Sequence, residues 1–295
     1  MLKKLMLIVN PTAGKGNSAF SIGPVLEVLY NGGYSPTVFY TSGAGNATEL
    51  VLKYGGEFDC VTCIGGDGTL SETVSGLAQL EVPPLLGYIP QGTANDVATT
   101  LGLSRVPTAA AKTIVKGTPK PFDVGRFNSD SFFTYIAAFG AFTEVSYETP
   151  KEAKNALGHL AYVLNAMGAL PKITSYNVRI TYDGGVIEDS LVFGSVSNST
   201  SVAGLVKLTN SGVELDDGLF EVVLIKTPSN IVELNNIIGK VLSRNFSGNY
   251  VTLLRSRHVE FAFDRQVKWT RDGEAGGSYS HVVCENIQAP IKIIT

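Results

Sequence analysis

The sequence CVTCIGGDGTL, residues 60–70, passes from an apolar β-type run through a glycine-rich turn directly into a helical pattern. Glycines in such a turn let the backbone approach a phosphate group, and the free amides at a helix start favour anions. Asp67 lies among these amides, where a carboxylate repels phosphate unless it acts through a magnesium ion. The stretch therefore predicts a phosphate-binding loop or, as the alternative, a tight strand-to-helix turn with Asp67 as its N-cap.

The alternation of strand and helix extends outward from this stretch through the first 125 residues. Apolar runs at residues 5–9, 36–40, 60–64 and 84–89 predict strands, and each is followed by a helical pattern. Because such an alternation needs crossover connections, we predict a mainly parallel sheet in a doubly wound α/β domain over residues 1–125. The loops at the carboxyl ends of its strands are the expected ligand site.

After about residue 123 the pattern changes to β-type runs separated by turn signals at residues 183–185, 217–218, 247–249 and 272–273. This pattern is typical of an antiparallel β-sandwich, which we predict over residues 126–282. A helical pattern interrupts it at residues 151–170. The apolar end of the chain, residues 283–295, could complete the first domain.

Composition limits the classes of partner and compartment. The chain has 295 residues, 44% of them apolar and 17% charged, so compact cores are expected. A formal net charge of −3 supplies no broad attraction for nucleic acid, which we exclude as a partner. No apolar stretch approaches the ~20 residues that span a bilayer, and the run after Lys3 and Lys4 is too short for a secretory signal. We therefore predict a cytoplasmic protein.

Two further loops follow predicted strands. Residues 90–96 read PQGTAND, in which Gly92 allows close approach while Thr93, Asn95 and Asp96 offer polar groups at a helix start. Residues 10–17 read NPTAGKGN, which departs from the P-loop pattern. They match a dinucleotide fingerprint only in part, because the acidic residue expected after the second strand is missing.

The three cysteines suggest no chemistry of their own. Cys60 and Cys63 form a C-x-x-C pair, which raises the alternatives of redox or zinc chemistry. On a strand, however, positions three apart point to opposite faces, and Cys284 supplies no second pair for a tetrahedral site. We predict that these cysteines are plain buried thiols without a disulfide.

The order of these motifs resembles that of the diacylglycerol kinase catalytic-domain family, which includes bacterial soluble lipid kinases and is related to sphingosine kinases and, more distantly, to NAD kinases. The resemblance covers essentially the whole chain. It rests on Asn10-Pro11 with its glycine-rich turn, Gly65–Thr69, the GTAND motif of residues 92–96, Asp123-Val124-Gly125, Asp217-Gly218 and Asp272-Gly273-Glu274. It implies a nucleotide-binding domain, a β-sandwich domain and a cleft between them that holds ATP and lipid.

The resemblance also implies roles for particular residues. Around the nucleotide it places Asn10, Thr41, Gly65, Gly66, Asp67, Gly68, Thr69, Thr93 and Asn95. Asp67, Asp96 and Asp123 would form a carboxylate and water network around a catalytic Mg2+, and Glu274 would be the base for the lipid hydroxyl. A structural magnesium would bind Glu214, Asp217 and the carbonyl of Leu219, for which a plain β-turn is the alternative.

These implications predict an ATP- and magnesium-dependent kinase that phosphorylates diacylglycerol or a similar lipid at a membrane surface, with transient peripheral contact. A homodimer is a possible assembly. Two alternatives stay open: a kinase for a soluble alcohol such as NAD, and a non-catalytic regulator that binds nucleotide or lipid. The GTAND motif counts against the first alternative, and the joint presence of Asp67, Asp96, Asp123 and Glu274 counts against the second.

Overall fold

The computed structural model describes residues 1–14, 22–93, 95–129, 131–141, 174–198, 201–202, 206–207, 216–242 and 249–295. The predicted helix at residues 151–170, part of the loop at 10–17 and the predicted ligand Glu214 lie outside the described residues. The chain divides into two compact units. The N-terminal unit comprises Met1–Val124 together with Gln288–Thr295, and the C-terminal unit comprises Gly125–Ile287.

The N-terminal unit contains a parallel sheet covered by helices. Its four strands run in the spatial order β2, β1, β3, β4, and Ile293 of the chain's last strand pairs in parallel with Leu86 of β4. The strands are β1 Lys3–Val9, β2 Tyr34–Tyr40, β3 Cys60–Gly65 and β4 Leu85–Pro90. The helices are α1 Gly23–Asn31, α2 Asn46–Tyr54, α3 Asp67–Leu77, α4 Asp96–Thr100 and α5 Pro107–Lys116.

The predicted parallel α/β architecture is confirmed, and its central strands are buried because crossover helices cover the faces of a parallel sheet. Every residue of β3 is buried, and β1 is buried from Leu5 onward. Cys60 and Cys63 are free thiols inside this sheet, as predicted, and burial raises the pKa of the two thiols to about 11 and about 12. These cysteines therefore serve as small apolar residues of the sheet.

The C-terminal unit is built from antiparallel strands, which confirms the predicted β-rich second half. Its main sheet has the order β13, β12, β9, β7, β14, β15, with β8 paired to β9 and β14. The strands are β5 Pro119–Phe127, which begins in the N-terminal unit, β6 Ser131–Phe133, β7 Ile136–Gly140, β8 Tyr176–Tyr182, β9 Gly185–Ser197, β10 Ser201–Val202, β11 Val206–Lys207, β12 Phe220–Lys226, β13 Val251–Ser256, β14 His258–Arg271 and β15 Glu274–Ile294. Within the described residues of this unit, a helix, α6, spans Ile231–Leu242.

Aromatic rings fill the core of the C-terminal unit. Trp269 is fully buried, and its ring centroid lies 4.9 Å from that of Phe139 and 5.2 Å from that of Phe261. Phe133 is also buried there and stacks on Phe220. Buried aromatic pairs of this kind stabilise the core beyond the free energy of apolar burial alone.

Two of the predicted turns are tight hairpin turns. Tyr182 pairs with Gly185 across one turn, and Arg271 pairs with Glu274 across the Asp272-Gly273 turn. The sequence missed the full length of β15, of which only the apolar end was recognised. In the part of the chain that the structure describes, no helix is long and apolar enough to cross a membrane.

Candidate functional site

Three loops of the N-terminal unit begin where neighbouring parallel strands end. The first loop comprises residues 10–14 after β1, the second residues 65–69 at the end of β3, and the third residues 90–96 at the end of β4. Because these strands are adjacent and parallel, their carboxyl ends lie on the same edge of the sheet. The structure therefore brings together three segments that the sequence singled out separately.

The side chain of Asn10 connects the first loop to the second. Its Nδ2 donates a hydrogen bond to Oγ1 of Thr69 at 3.0 Å, and its Oδ1 accepts from both the amide and the hydroxyl of Thr12. Its own amide donates to the carbonyl of Ile64 at 3.0 Å. Asn10 therefore sets the conformation of both loops, in addition to any contact with a ligand.

The second and third loops touch through their main chains. A Cβ added to Gly92 would lie 2.5 Å from the Cα of Gly66, a distance that no side chain could tolerate. The amide of Gln91 donates to the carbonyl of Gly65 at 2.7 Å. Gly14 of the first loop has φ +73°, and a Cβ there would lie 3.0 Å from the carbonyl oxygen of Gln91. The glycines are thus required for loop-to-loop packing as well as for approach to an anion.

Asn95 shapes the third loop from inside. The residue has φ +54° and is 2% exposed. Its Oδ1 accepts from the amide of Gly92 and its Nδ2 donates to the carbonyl of Gly92, both at 2.8 Å. The sequence offered Asn95 as a nucleotide contact, whereas its side chain is bonded to Gly92 in its own loop and accepts from the hydroxyl of Tyr88 on β4 at 3.4 Å. Thr93 lies in the same loop on the accessible side and is exposed.

Asp67 and Asp96 begin two helices on this edge of the sheet. Asp67 is the first residue of α3, and its Oδ1 accepts from the amide of Val97 in the first turn of α4 at 3.3 Å. Burial raises the pKa of the Tyr88 hydroxyl on β4, and the negative charges of Asp67 and Asp96 raise it further. Both carboxylates therefore lie near this hydroxyl, and the helix N-termini favour their negative charge.

Asp123, the third predicted carboxylate, lies on β5 and is completely buried. Its Oδ1 accepts a hydrogen bond from the amide of Ala289 at 2.7 Å. Ala289 has φ +50°, an unusual conformation for alanine, so Asp123 also holds an irregular point in β15. Among the described residues, no three acidic, histidine or cysteine side chains are grouped closely enough to hold a metal directly.

A fourth loop, residues 41–45 after β2, is held by a residue that the sequence did not single out. Glu72 of α3 accepts from the amide of Gly45 at 2.8 Å through Oε1 and from the amide of Ala47 at 3.1 Å through Oε2. The amide of Thr41 donates to the carbonyl of Val9 at 2.9 Å. Glu72 therefore caps the start of α2 from a neighbouring helix and fixes the loop that begins with Thr41.

In the C-terminal unit, the predicted base Glu274 is the exposed first residue of β15. It follows the two-residue turn Asp272-Gly273, in which φ is +47° for Asp272 and +82° for Gly273. Positive φ at both central residues is the requirement of the type I′ hairpin turn, for which Asp-Gly is a favoured sequence. The turn thus presents Glu274 at the end of the hairpin.

Of the predicted structural magnesium ligands, the structure describes Asp217 and Leu219. Oδ1 of Asp217 accepts from the amide of Leu219 at 2.9 Å, and the same carboxylate forms an ion pair with Arg255. Arg255 also contacts Glu221, which is 1% exposed and whose pKa is raised to about 7 by burial. The guanidinium group of Arg255 therefore occupies a position beside the carboxylate that was predicted to bind magnesium.

Comparison with known proteins gives matches along nearly the whole chain. Residues 4–127 match the family described as the diacylglycerol kinase catalytic domain, and residues 139–293 match the YegS C-terminal NAD kinase beta sandwich-like domain. The chain is 34% identical over 282 residues to the diacylglycerol kinase of Bacillus subtilis (strain 168), which covers 94% of this chain and 91% of that relative. The diacylglycerol kinase of Staphylococcus carnosus (strain TM300) is 33% identical over 280 residues, covering 94% of this chain and 90% of the relative.

The fold also has a counterpart among solved structures. The crystal structure of a diacylglycerol kinase from Bacillus anthracis str. Sterne has a TM-score of 0.74 to this chain at 28% identity. The match covers 99% of this chain and 96% of that one. The similarity therefore extends over both units.

Proposed function

This chain belongs to the diacylglycerol kinase catalytic-domain family and is an ATP-dependent lipid kinase, and we propose that it transfers the γ-phosphoryl group of ATP to the hydroxyl of diacylglycerol. The observation that carries the proposal is the joining of the first, second and third loops through Asn10, Gly66 and Gly92. Interlocked glycine-rich loops at strand ends and helix starts form a cradle suited to the phosphates of a nucleotide.

In this proposal the N-terminal unit binds ATP. The main-chain amides of the second loop and the start of α3 bind phosphate oxygens, and the hydroxyl of Thr93 offers a further donor. Thr41, at the end of β2, borders the same edge of the sheet and contacts the nucleotide. Asn10, Thr69 and Asn95 hold these loops in shape, because their side chains are engaged within and between the loops.

We propose Mg2+ as the metal of the reaction, carried with the phosphates of ATP. Magnesium in kinase sites keeps several waters and takes one or two carboxylates together with phosphate oxygens, so a cage of three protein ligands is not required. Asp67 and Asp96 fit this requirement as single carboxylates at two neighbouring helix starts. A metal bound there would supply positive charge against the phosphates. Asp123, which the family resemblance includes in the same carboxylate network, is held by the amide of Ala289.

Glu274 acts as the base in the proposed transfer. Its carboxylate accepts the proton of the lipid hydroxyl while the hydroxyl oxygen forms a bond to the γ-phosphorus. The bond from the γ-phosphorus to the bridging oxygen breaks, and ADP leaves with its electron pair. The exposed position of Glu274 at the tip of a hairpin supports this role, because an incoming lipid hydroxyl can reach it.

We also propose a structural magnesium site, a transient contact with a membrane surface and a homodimer. A magnesium at Glu214, Asp217 and the Leu219 carbonyl competes with Arg255 for the Asp217 carboxylate, so metal analysis of dialysed protein decides whether it is held. Sedimentation with anionic lipid vesicles tests the transient membrane contact. Light scattering measures the mass of the assembly.

The decisive experiment incubates the purified protein with radiolabelled ATP, Mg2+ and a panel of diacylglycerol, phosphatidylglycerol, sphingoid bases and NAD. We expect labelled phosphatidate from diacylglycerol, and a loss of at least about 100-fold in kcat for Glu274→Gln because the proton acceptor is removed. Glu188→Gln, which alters an exposed glutamate on β9, is the matched control and keeps full activity. Transfer to NAD alone, or full activity in Glu274→Gln, would contradict the proposal, and ATP binding without transfer to any acceptor would favour a regulator.

A further inference from the structure

The carboxylate of Asp272 is held by four hydrogen-bond donors from one short segment of the C-terminal unit. Oδ2 accepts from the amide of Thr134 at 2.8 Å and from its hydroxyl at 2.9 Å. Oδ1 accepts from the amide of Tyr135 at 2.8 Å and from the amide of Ile136 at 3.0 Å. We call this arrangement the Asp272 clamp.

The clamp joins the β14–β15 turn to the connection between β6 and β7. The amide of Asp272 donates to the carbonyl of Ile136 at 2.8 Å, immediately beyond the last pair of the β14–β7 ladder, Arg271 with Ala137. The amide of Asp272 therefore donates a hydrogen bond to the same segment from which its carboxylate accepts four. Bonds from neutral donors to an ionised carboxylate are roughly twice as strong as neutral pairs, which suits a fixed anchor.

The clamp stabilises an unusual backbone conformation at Asp272. Its φ of +47° lies in the left-handed region, which only a few per cent of non-glycine residues adopt, aspartate and asparagine more often than most. The residue after the turn, Glu274, is exposed, so its own surroundings supply little to hold the hairpin tip. The position of Glu274 thus depends on the turn, and the turn depends on Asp272.

Asp272 itself is poorly placed to take the proton. An ionised carboxylate offers about four lone-pair sites, and the clamp supplies four donors to them. Glu274, two residues away, is exposed and lies on the accessible side of the turn. The two acidic residues of the Asp-Gly-Glu sequence therefore have separate tasks.

We propose that Asp272 is a positioning residue, whose clamp on Thr134, Tyr135 and Ile136 fixes the turn that presents Glu274 to the lipid hydroxyl. The inference rests on the proposed role of Glu274 as the base. Its consequence is that weakening the clamp lowers the rate of phosphoryl transfer and leaves the binding of ATP unchanged.

Asp272→Asn is the first test, because asparagine tolerates the left-handed conformation and preserves the shape of the turn. Its amide group cannot accept hydrogen bonds where one carboxylate oxygen did, so two of the four bonds are lost. We expect kcat for diacylglycerol phosphorylation to fall by about 10- to 100-fold, since a small misplacement of a reacting group has effects of this size. The KM for ATP stays within about twofold of its original value.

Thr134→Val is the second test and keeps the volume of a side chain that is 1% exposed. It removes one donor and leaves three, so kcat falls less than in Asp272→Asn. In the double variant the two effects are less than additive, because both changes weaken the same clamp. Asp183→Asn is the matched control: this aspartate lies in the β8–β9 turn and accepts a backbone hydrogen bond from Arg257, and its replacement leaves kcat unchanged.

Measurements of kcat and both KM values, together with the melting temperature of each variant, separate positioning from loss of fold. A normal kcat in Asp272→Asn overturns the inference, as does a fall in kcat that Asp183→Asn reproduces at the same loss of melting temperature. If Asp272→Asn does not fold, Thr134→Val decides by the same criteria. An inactive Glu274→Gln beside a fully active Asp272→Asn overturns only this inference, whereas a fully active Glu274→Gln overturns the proposed base first.

Discussion

The phosphate loops of the N-terminal unit and the Asp272 hairpin of the C-terminal unit hold their functional groups by different means. In the loops, main chain packs directly against main chain at Gly66 and Gly92, with Asn95 bonded to Gly92 from within. In the hairpin, a single carboxylate gathers four donors from residues 134–136.

This difference determines which substitutions disrupt each region. The loops have no room for added atoms, because a methyl group at Gly92 would meet backbone and backbone cannot rotate away. The hairpin has room at its exposed tip but depends on one negative charge. The loops are therefore sensitive to steric change, and the hairpin is sensitive to the loss of an acceptor.

The largest effect is expected from Gly92→Ala, which breaks the packing of the second and third loops. Its Cβ would lie 2.5 Å from the Cα of Gly66, so one of the loops must move. We expect kcat/KM for ATP to fall by about 100-fold, measured with diacylglycerol at saturation. Gly56→Ala is the control, since a Cβ there meets nothing within 4 Å, and equal losses in both variants would contradict the role of loop packing.

Asn95→Ala and Asn128→Ala form a matched pair that compares the two units. Both asparagines have φ +54°, and each accepts a backbone hydrogen bond through Oδ1, from Gly92 and from Val283 respectively. Asn128→Ala should lower the free energy of unfolding by about 2 kcal/mol in denaturant titrations, through a lost hydrogen bond and strain in the backbone. Asn95→Ala should lower it further, because the Asn95 side chain also donates to the carbonyl of Gly92. Only Asn95→Ala should raise the KM for ATP, and a similar rise in Asn128→Ala would remove the distinction between the units.

A smaller effect is expected when the bond between the first and second loops is removed. Thr69→Val deletes the oxygen that accepts from Nδ2 of Asn10, at a cost of about 1 kcal/mol. The KM for ATP should rise a few-fold, by an amount that this energy sets. Thr69→Ser retains the hydroxyl and should behave as the unmodified protein does; an equal rise in KM for both variants would show that the methyl group, and not the hydrogen bond, matters.

The smallest effect on activity is expected from the double variant Cys60→Ala, Cys63→Ala. Both thiols are buried inside the parallel sheet, and burial raises their pKa to about 11 and about 12, so few thiolates form at pH 8. Kinase activity should stay within about twofold of its original value, with some loss of stability from the removed volume. A thiol reagent should label these cysteines only after unfolding, and rapid labelling of the folded protein at pH 8 would contradict their inert role.

Sequence reasoning succeeded where the signal is local. The apolar run at residues 60–64 and the glycines after it specify a buried strand and a turn, and the Asp272-Gly273 step specifies a hairpin that the structure contains. The role of Asn95 was harder to predict. A polar residue in a ligand loop looks the same in sequence whether it faces the ligand or bonds to the backbone of its own loop. It missed Glu72, whose partners Gly45 and Ala47 lie in the fourth loop and in the first turn of α2.

The sequence by itself determined the parallel first half and the antiparallel second half, because periodicity and turn chemistry are properties of neighbouring residues. It also determined the family, because each motif is a short stretch and the order of the motifs can be read along the chain. Only the tertiary structure decided that Gly66 touches Gly92 and that Asp272 binds a segment 136 to 138 residues away. Hydrogen bonds and steric exclusion act over a few ångströms whatever the distance along the chain. The packing of the strands therefore decides which backbone donors surround a given carboxylate, and no local sequence pattern predicts them.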